Sequence, residues 1–151
     1  MTIECIRAMA LSQTGKSLLV AAYFRGGSPD DLGWGSNCDQ VITLSLFYTG
    51  DISVEECIER FSQRRYVGGL YQDDGELDKS VNRRYRALLK LLRRWPTFIE
   101  GAGDLKRPAD PTYTSCRLTI AGQTLALMFM PDFRRKPEFP YWPDRRSVMQ
   151  D

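Results

Sequence analysis

The chain contains no histidine. That removes the imidazole base of Ser/His and Cys/His nucleophile pairs and every zinc site that uses imidazole. Its four cysteines, Cys5, Cys38, Cys57 and Cys116, include no two within three residues of each other, and their spacings match no zinc ribbon. Neither a metal nor another cofactor is expected. Nor does a chain of 151 residues with 42% hydrophobic content need a disulfide framework. Reduced thiols and a cytoplasmic location follow as expectations. Long apolar runs are missing too: no segment approaches the roughly 18–20 consecutive apolar residues of a membrane span. The opening MTIECIRAMALSQTGK lacks the basic start and apolar run of a signal peptide.

Phosphate-loop chemistry is equally thin. Gly15-Lys16-Ser17 copies the end of such a loop, but Ala10 stands where its first glycine belongs, and no strand precedes it. The acidic run Asp73, Asp74, Glu76 and Asp78 lacks the alternating ligands of a calcium loop and reads as a solvated turn. With no catalytic constellation in view, the chain is not expected to be an enzyme.

One further absence is informative. Between Ser80 and Pro96 (SVNRRYRALLKLLRRWP) there is no acidic residue. At helical spacing Val81, Tyr85, Leu88, Leu89, Leu91, Leu92 and Trp95 form an apolar stripe. Arg83, Arg86, Lys90, Arg93 and Arg94 fall opposite, with Arg84 at the border. Solvated helix faces usually mix signs, because oppositely charged residues four apart support one another. A face of one sign repels itself and calls for a polyanion. The net charge of +2 hides this: residues 1–77 carry six Lys/Arg against eleven Asp/Glu, and residues 78–117 carry ten against four. The competing readings are a solvated face or a dock for an acidic protein.

Along the chain, residues 3–24 read as helical, with Gly15 as the point of kink or break. Residues 26–35 (GGSPDDLGWG) form a loop. Residues 38–48 (CDQVITLSLFY) suit strand and helix periods alike, and Ser36 followed by Asp39 as a cap tips them towards helix. Ser53 and Glu56 have capping-box spacing, with Ile52 and Cys57 as a staple, which predicts a helix to about Arg65. Residues 67–79 read as a long acidic turn, and Pro96 stops the basic helix. Phe98-Ile99 and Tyr113–Leu118 predict two strands around a polar loop, Gly101–Pro111. Thr119 predicts the cap of a last helix ending near Met130. From Pro131 onward, four of the eight prolines and Phe133, Phe139, Tyr141 and Trp142 suggest an extended arm.

This order, helix, capped helix, turn, basic helix, strand, loop, strand, helix, resembles a winged helix-turn-helix domain over residues 36–130. The sharpest local likeness is Arg117-Leu118-Thr119-Ile120-Ala121-Gly122 followed by Thr124-Leu125-Ala126, similar to the "RLT, two residues, Gly" exit from the wing in many winged-helix regulators. The resemblance implies a mainly α fold with a small β-hairpin (α+β), in three parts: a helical segment and loop (1–35), the winged-helix domain (36–130) and the arm (131–151). Residues 53–65 would support, Ser80–Trp95 would recognise, and Gly101–Pro111 would form the wing. Asn82, Arg83, Arg84 and Arg86 would then meet base edges; Lys90, Arg93 and Arg94 would hold phosphates; and Lys106 and Arg107 would meet the flanking backbone of double-stranded DNA. Six neutralised phosphates would give a salt slope of about −5.

The function implied is a regulator of transcription, with a homodimer through the N-terminal helix. The alternative is an adaptor or accessory subunit of a larger nucleoprotein or anti-phage defence assembly. In that case Phe133, Arg134, Arg135, Phe139, Tyr141 and Trp142 would be its anchors on a larger protein partner.

Overall fold

The computed structural model describes residues 3–25, 36–63, 65–66, 75–102, 115–135 and 137. Among them the chain is mainly helical with a small antiparallel sheet. The N-terminal stretch makes two helices, α1 (Ile3–Ala8) and α2 (Gln13–Arg25). The break comes at residues 9–12, before Gly15, because the Ser12 hydroxyl accepts the Gly15 amide at 3.2 Å and starts a new helix there. Gly15 then sits inside the first turn. Every residue from Ser17 to Phe24 is buried, so α2 runs through the core and packs on the helices to either side.

The ambiguous segment is helix α3 (Cys38–Tyr48). Its ambiguity has a physical origin: Val41 to Tyr48 are all buried, and a helix enclosed on every side shows no polar face from which to read a period. Ser36 and Asn37 form a two-residue strand, β1, and α3 begins directly after it. The chain leaves α3 through Gly50 at φ +82°, the left-handed geometry that closes helices on glycine. Helix α4 (Val54–Gln63) starts as its cap predicts. The Ser53 hydroxyl accepts the Glu56 amide at 3.1 Å, Ile52 and Cys57 are buried, and the Glu56 carboxylate pairs with Arg60 at 3.2 Å. Helix α5 (Gly75–Arg94) begins five residues before the expected Ser80, so the last part of the acidic turn is helical; residues 67–74 lie outside the described set.

Strands β2 (Ile99–Ala102) and β3 (Ser115–Leu118) pair antiparallel, Ile99 opposite Leu118 and Ala102 opposite Ser115. Strand β1 adds to the other side of β3, giving the order β1-β3-β2. Leu118 enters the core, and Thr119 caps helix α6 (Ile120–Phe129) by accepting the Gly122 amide at 3.0 Å. Gly122 is required by contact: a Cβ there would stand 1.9 Å from the Phe98 carbonyl oxygen. A 3₁₀ turn, Met130–Asp132, follows. The arm then begins by folding back rather than extending. Phe133 meets Tyr48 edge-on at 6.1 Å, the Arg134 guanidinium lies 5.5 Å above the Phe47 ring, and Pro137 is buried.

Candidate nucleic-acid interface

Helix α5 packs on α2, α3 and β2 through Val81, Tyr85, Leu88 and Leu91. Lys79, Asn82, Arg83, Arg86, Lys90, Arg93 and Arg94 are exposed. At about 100° per residue these seven lie within an arc of about 120°, and from Lys79 to Arg94 they span about 22 Å. The ion pairs among the described residues join Arg60 to Glu56, Arg84 to Asp51 and Arg117 to Glu100. None of them reaches the exposed cations of α5. The helix's one aromatic residue, Tyr85, is buried, so no ring stands on the arc.

Arg84 does not belong to this face. It is 1% exposed, and its placement follows from register: it stands three residues after Val81 and four before Leu88, so its Cβ points into the core. A buried guanidinium must have partners, and Arg84 has four. Its Nε donates to Ser45 Oγ at 3.1 Å, Nη1 to the Ser80 carbonyl at 3.1 Å, and Nη2 to Asp51 Oδ2 at 2.8 Å and to the Thr49 hydroxyl. Burial pulls the guanidinium below its ordinary pKa, and the Asp51 carboxylate opposes that pull. The polar chain continues into α2. Ser45 and Ser17 hydroxyls lie 2.5 Å apart, and Ser17 donates to the Thr14 carbonyl at 2.7 Å, so Ser45 is the donor to Ser17. Gly15-Lys16-Ser17 is thereby used internally: Ser12 takes the glycine amide, Ser17 joins this chain, and Lys16 lies over the Phe129 ring at 5.2 Å.

Next to Arg84, the Tyr85 hydroxyl donates to Asp39 Oδ1 at the start of α3. Burial lifts the Asp39 carboxyl to about 7. Residues 84 and 85 thus tie the middle of α5 to opposite ends of α3, and these two polar contacts fix how the helix is rolled. Neither was visible in the sequence, where Asp39 served only as a cap candidate and Asp51 had no role; the available signal was the apolar register of Arg84.

On the hairpin, Glu100 and Arg117 face each other across β2 and β3, with Nε 3.1 Å from Oε2, leaving it neutral there. Lys106 and Arg107 lie outside the described residues, as do Phe139, Tyr141 and Trp142. Phe133 and Arg134, expected as partner anchors, lie against α3 of their own chain, Phe133 half-buried and Arg134 exposed; Arg135 is exposed.

Cys38 and Cys116 are both buried. Their mutual hydrogen bond, then burial, pushes the Cys38 thiol far up, and burial pushes Cys57 to about 12. Among the described residues no group of three or more Cys, Asp or Glu is placed to hold a metal ion, and no helix is long and apolar enough to cross a membrane. Comparisons with known protein families, characterised proteins and solved structures returned no match.

Proposed function

We propose that this chain is a non-catalytic winged-helix protein that binds double-stranded DNA along the exposed arc of α5 and serves as a regulator of transcription. The observation that carries this reading is the row of exposed cations, about 22 Å long, with no described carboxylate paired to it. A helix about 10–12 Å across enters a major groove about 12 Å wide. The deep, narrow major groove of duplex RNA excludes it. Single strands are bound on stacking platforms of exposed rings, which this arc lacks. The winged-helix part of the reading is supported by the β2–β3 hairpin directly after α5, by the third strand β1 beside β3, and by the Thr119–Gly122 exit into α6.

With Arg84 withdrawn to the core, Arg83, Arg86, Lys90, Arg93 and Arg94 remain of the cations expected on the helix. Five engaged phosphates give a slope of log affinity against log salt of about −4.5. The test is binding to random duplex DNA at several salt concentrations by fluorescence anisotropy. Charge reversal in Arg83→Glu/Arg86→Glu is expected to lower affinity and flatten the slope by about 2. Unchanged affinity and slope in that variant would refute the assignment.

A further inference from the structure

Two of the four cysteines stand together. Cys38 is 1% exposed and Cys116 0%, both are free thiols, and they share a hydrogen bond. The sheet puts them there. Strand β1 pairs with β3 so that Ser36 lies opposite Cys116, and Cys38 follows two residues later as the first residue of α3. Residues directly opposite share a face of the sheet, and so do residues two apart, which makes Cys38 and Cys116 diagonal neighbours. Diagonal Cα atoms lie about 7–8 Å apart, and a disulfide takes them at up to about 6.8 Å, so closing the bond asks for a shift of about 1 Å. Cys57 differs: the groups that bear on its thiol are Glu56 and Arg60.

We propose that Cys38 and Cys116 form a redox-responsive pair, converted by a small disulfide oxidant such as oxidised glutathione into an intramolecular disulfide that fastens the start of α3 to the central strand of the sheet. One protein thiolate attacks the oxidant's S–S bond, releasing one glutathione thiolate and leaving a mixed disulfide. The other protein thiolate attacks the protein sulfur of that mixed bond, expels the second glutathione and forms the Cys38–Cys116 bond. The protein thiols give up two electrons and two protons, and both end on the two glutathione thiols.

The closed fold resists this reaction. The mutual hydrogen bond and burial hold the Cys38 sulfur as a thiol, and the thiolate is the nucleophile. Access comes through β1, a two-residue strand at the sheet edge whose ladder among the described residues is Ser36–Cys116 and Asn37–Ser115. So short a strand opens at far lower cost than the whole domain. Once formed, the bond closes a loop of about 80 residues and ties down the end of α3 where Asp39 holds Tyr85 of α5.

The test uses the full chain without DNA, so its outcome is independent of the DNA-binding reading. The reduced protein is refolded from urea in equimolar reduced and oxidised glutathione, quenched with acid and mapped by peptide mass spectrometry. The expected product is lighter than the reduced chain by about 2 Da, carries a Cys38–Cys116 crosslink, and leaves Cys5 and Cys57 open to alkylation once unfolded. Its thermal midpoint is expected about 5–10 °C above that of the reduced chain, and dithiothreitol should return it. Cys38→Ser and Cys116→Ser should each lose the crosslink and the shift; should either fail to fold, the wild-type peptide map decides. Oxidised glutathione added to the folded chain in dilute urea reads the route, with a rate that rises far less steeply than the equilibrium m-value requires for global unfolding. A refolded chain with all four thiols free, glutathione left on Cys38 or Cys116, or a main crosslink through Cys5 or Cys57 overturns the proposal. So does a crosslinked chain that melts no higher than the reduced one, or a urea dependence equal to the full m-value.

Discussion

Replacing Arg84 by alanine separates a structural arginine from those proposed to read DNA. The change removes a side chain that is 1% exposed and withdraws four hydrogen bonds at once, from Ser45, Thr49, Asp51 and the Ser80 carbonyl. Breaking a fully buried ion pair by removing one partner costs about 3–5 kcal/mol. The Asp51 side chain keeps 35% exposure, so water can take over part of the lost pairing, and the expected loss is about 2–4 kcal/mol. For a domain of this size that lowers the thermal midpoint by about 5–12 °C, and it is a large share of a total stability of about 5–15 kcal/mol. Urea unfolding followed by circular dichroism measures it. Asp51→Asn in the Arg84→Ala background should recover part of the loss, since the carboxylate left without its cation is then gone; the coupling is about 1–3 kcal/mol. At a temperature where both are folded, Arg84→Ala should retain most of the DNA affinity that Arg83→Glu/Arg86→Glu loses. The reasoning fails if Arg84→Ala unfolds within about 0.5 kcal/mol of wild type while losing DNA affinity as that double variant does.

Three further expectations follow from single residues. Gly122→Ala forces a methyl group against the Phe98 carbonyl and should cost about 2–3 kcal/mol in urea unfolding. Gly15→Ala meets nothing nearer than 3.6 Å within α2 and should stabilise by about 0.5–1 kcal/mol. The Asp39 carboxyl, raised to about 7 in the folded chain from about 3.8 unfolded, keeps a proton in that window that the unfolded chain releases. Stability should therefore fall as pH rises from about 4 to about 7, by at most about 4 kcal/mol and less for its residual solvent contact. Asp39→Asn should flatten that slope in melts at several pH values.

What could be read from the sequence was what depends on near neighbours. The Ser53 and Thr119 caps and the Pro96 stop were legible, because a cap bonds an amide three residues away and a proline constrains the residue before it. The split of the first helix had the same kind of signal in Ser12, but Gly15 drew the break to the weaker cue. Helix α3 was ambiguous for the opposite reason: burial on every side erased the polar face that a period needs.

The roll of α5 was beyond reach, since the pairs that fix it lie far apart in the chain, Arg84 with Asp51 at 33 residues and Tyr85 with Asp39 at 46. Arg84 shows where residue type and register disagree. Its charge groups it with Arg83 and Arg86, while its spacing from Val81 and Leu88 groups it with the core, and the core placement holds because three side-chain oxygens and a carbonyl wait there to satisfy the guanidinium. Removing that one cation leaves the outward arc narrower and of one sign. The contact that takes Arg84 inward also fixes which way its neighbours face, so a buried arginine decides which cations of α5 stand on the outer arc.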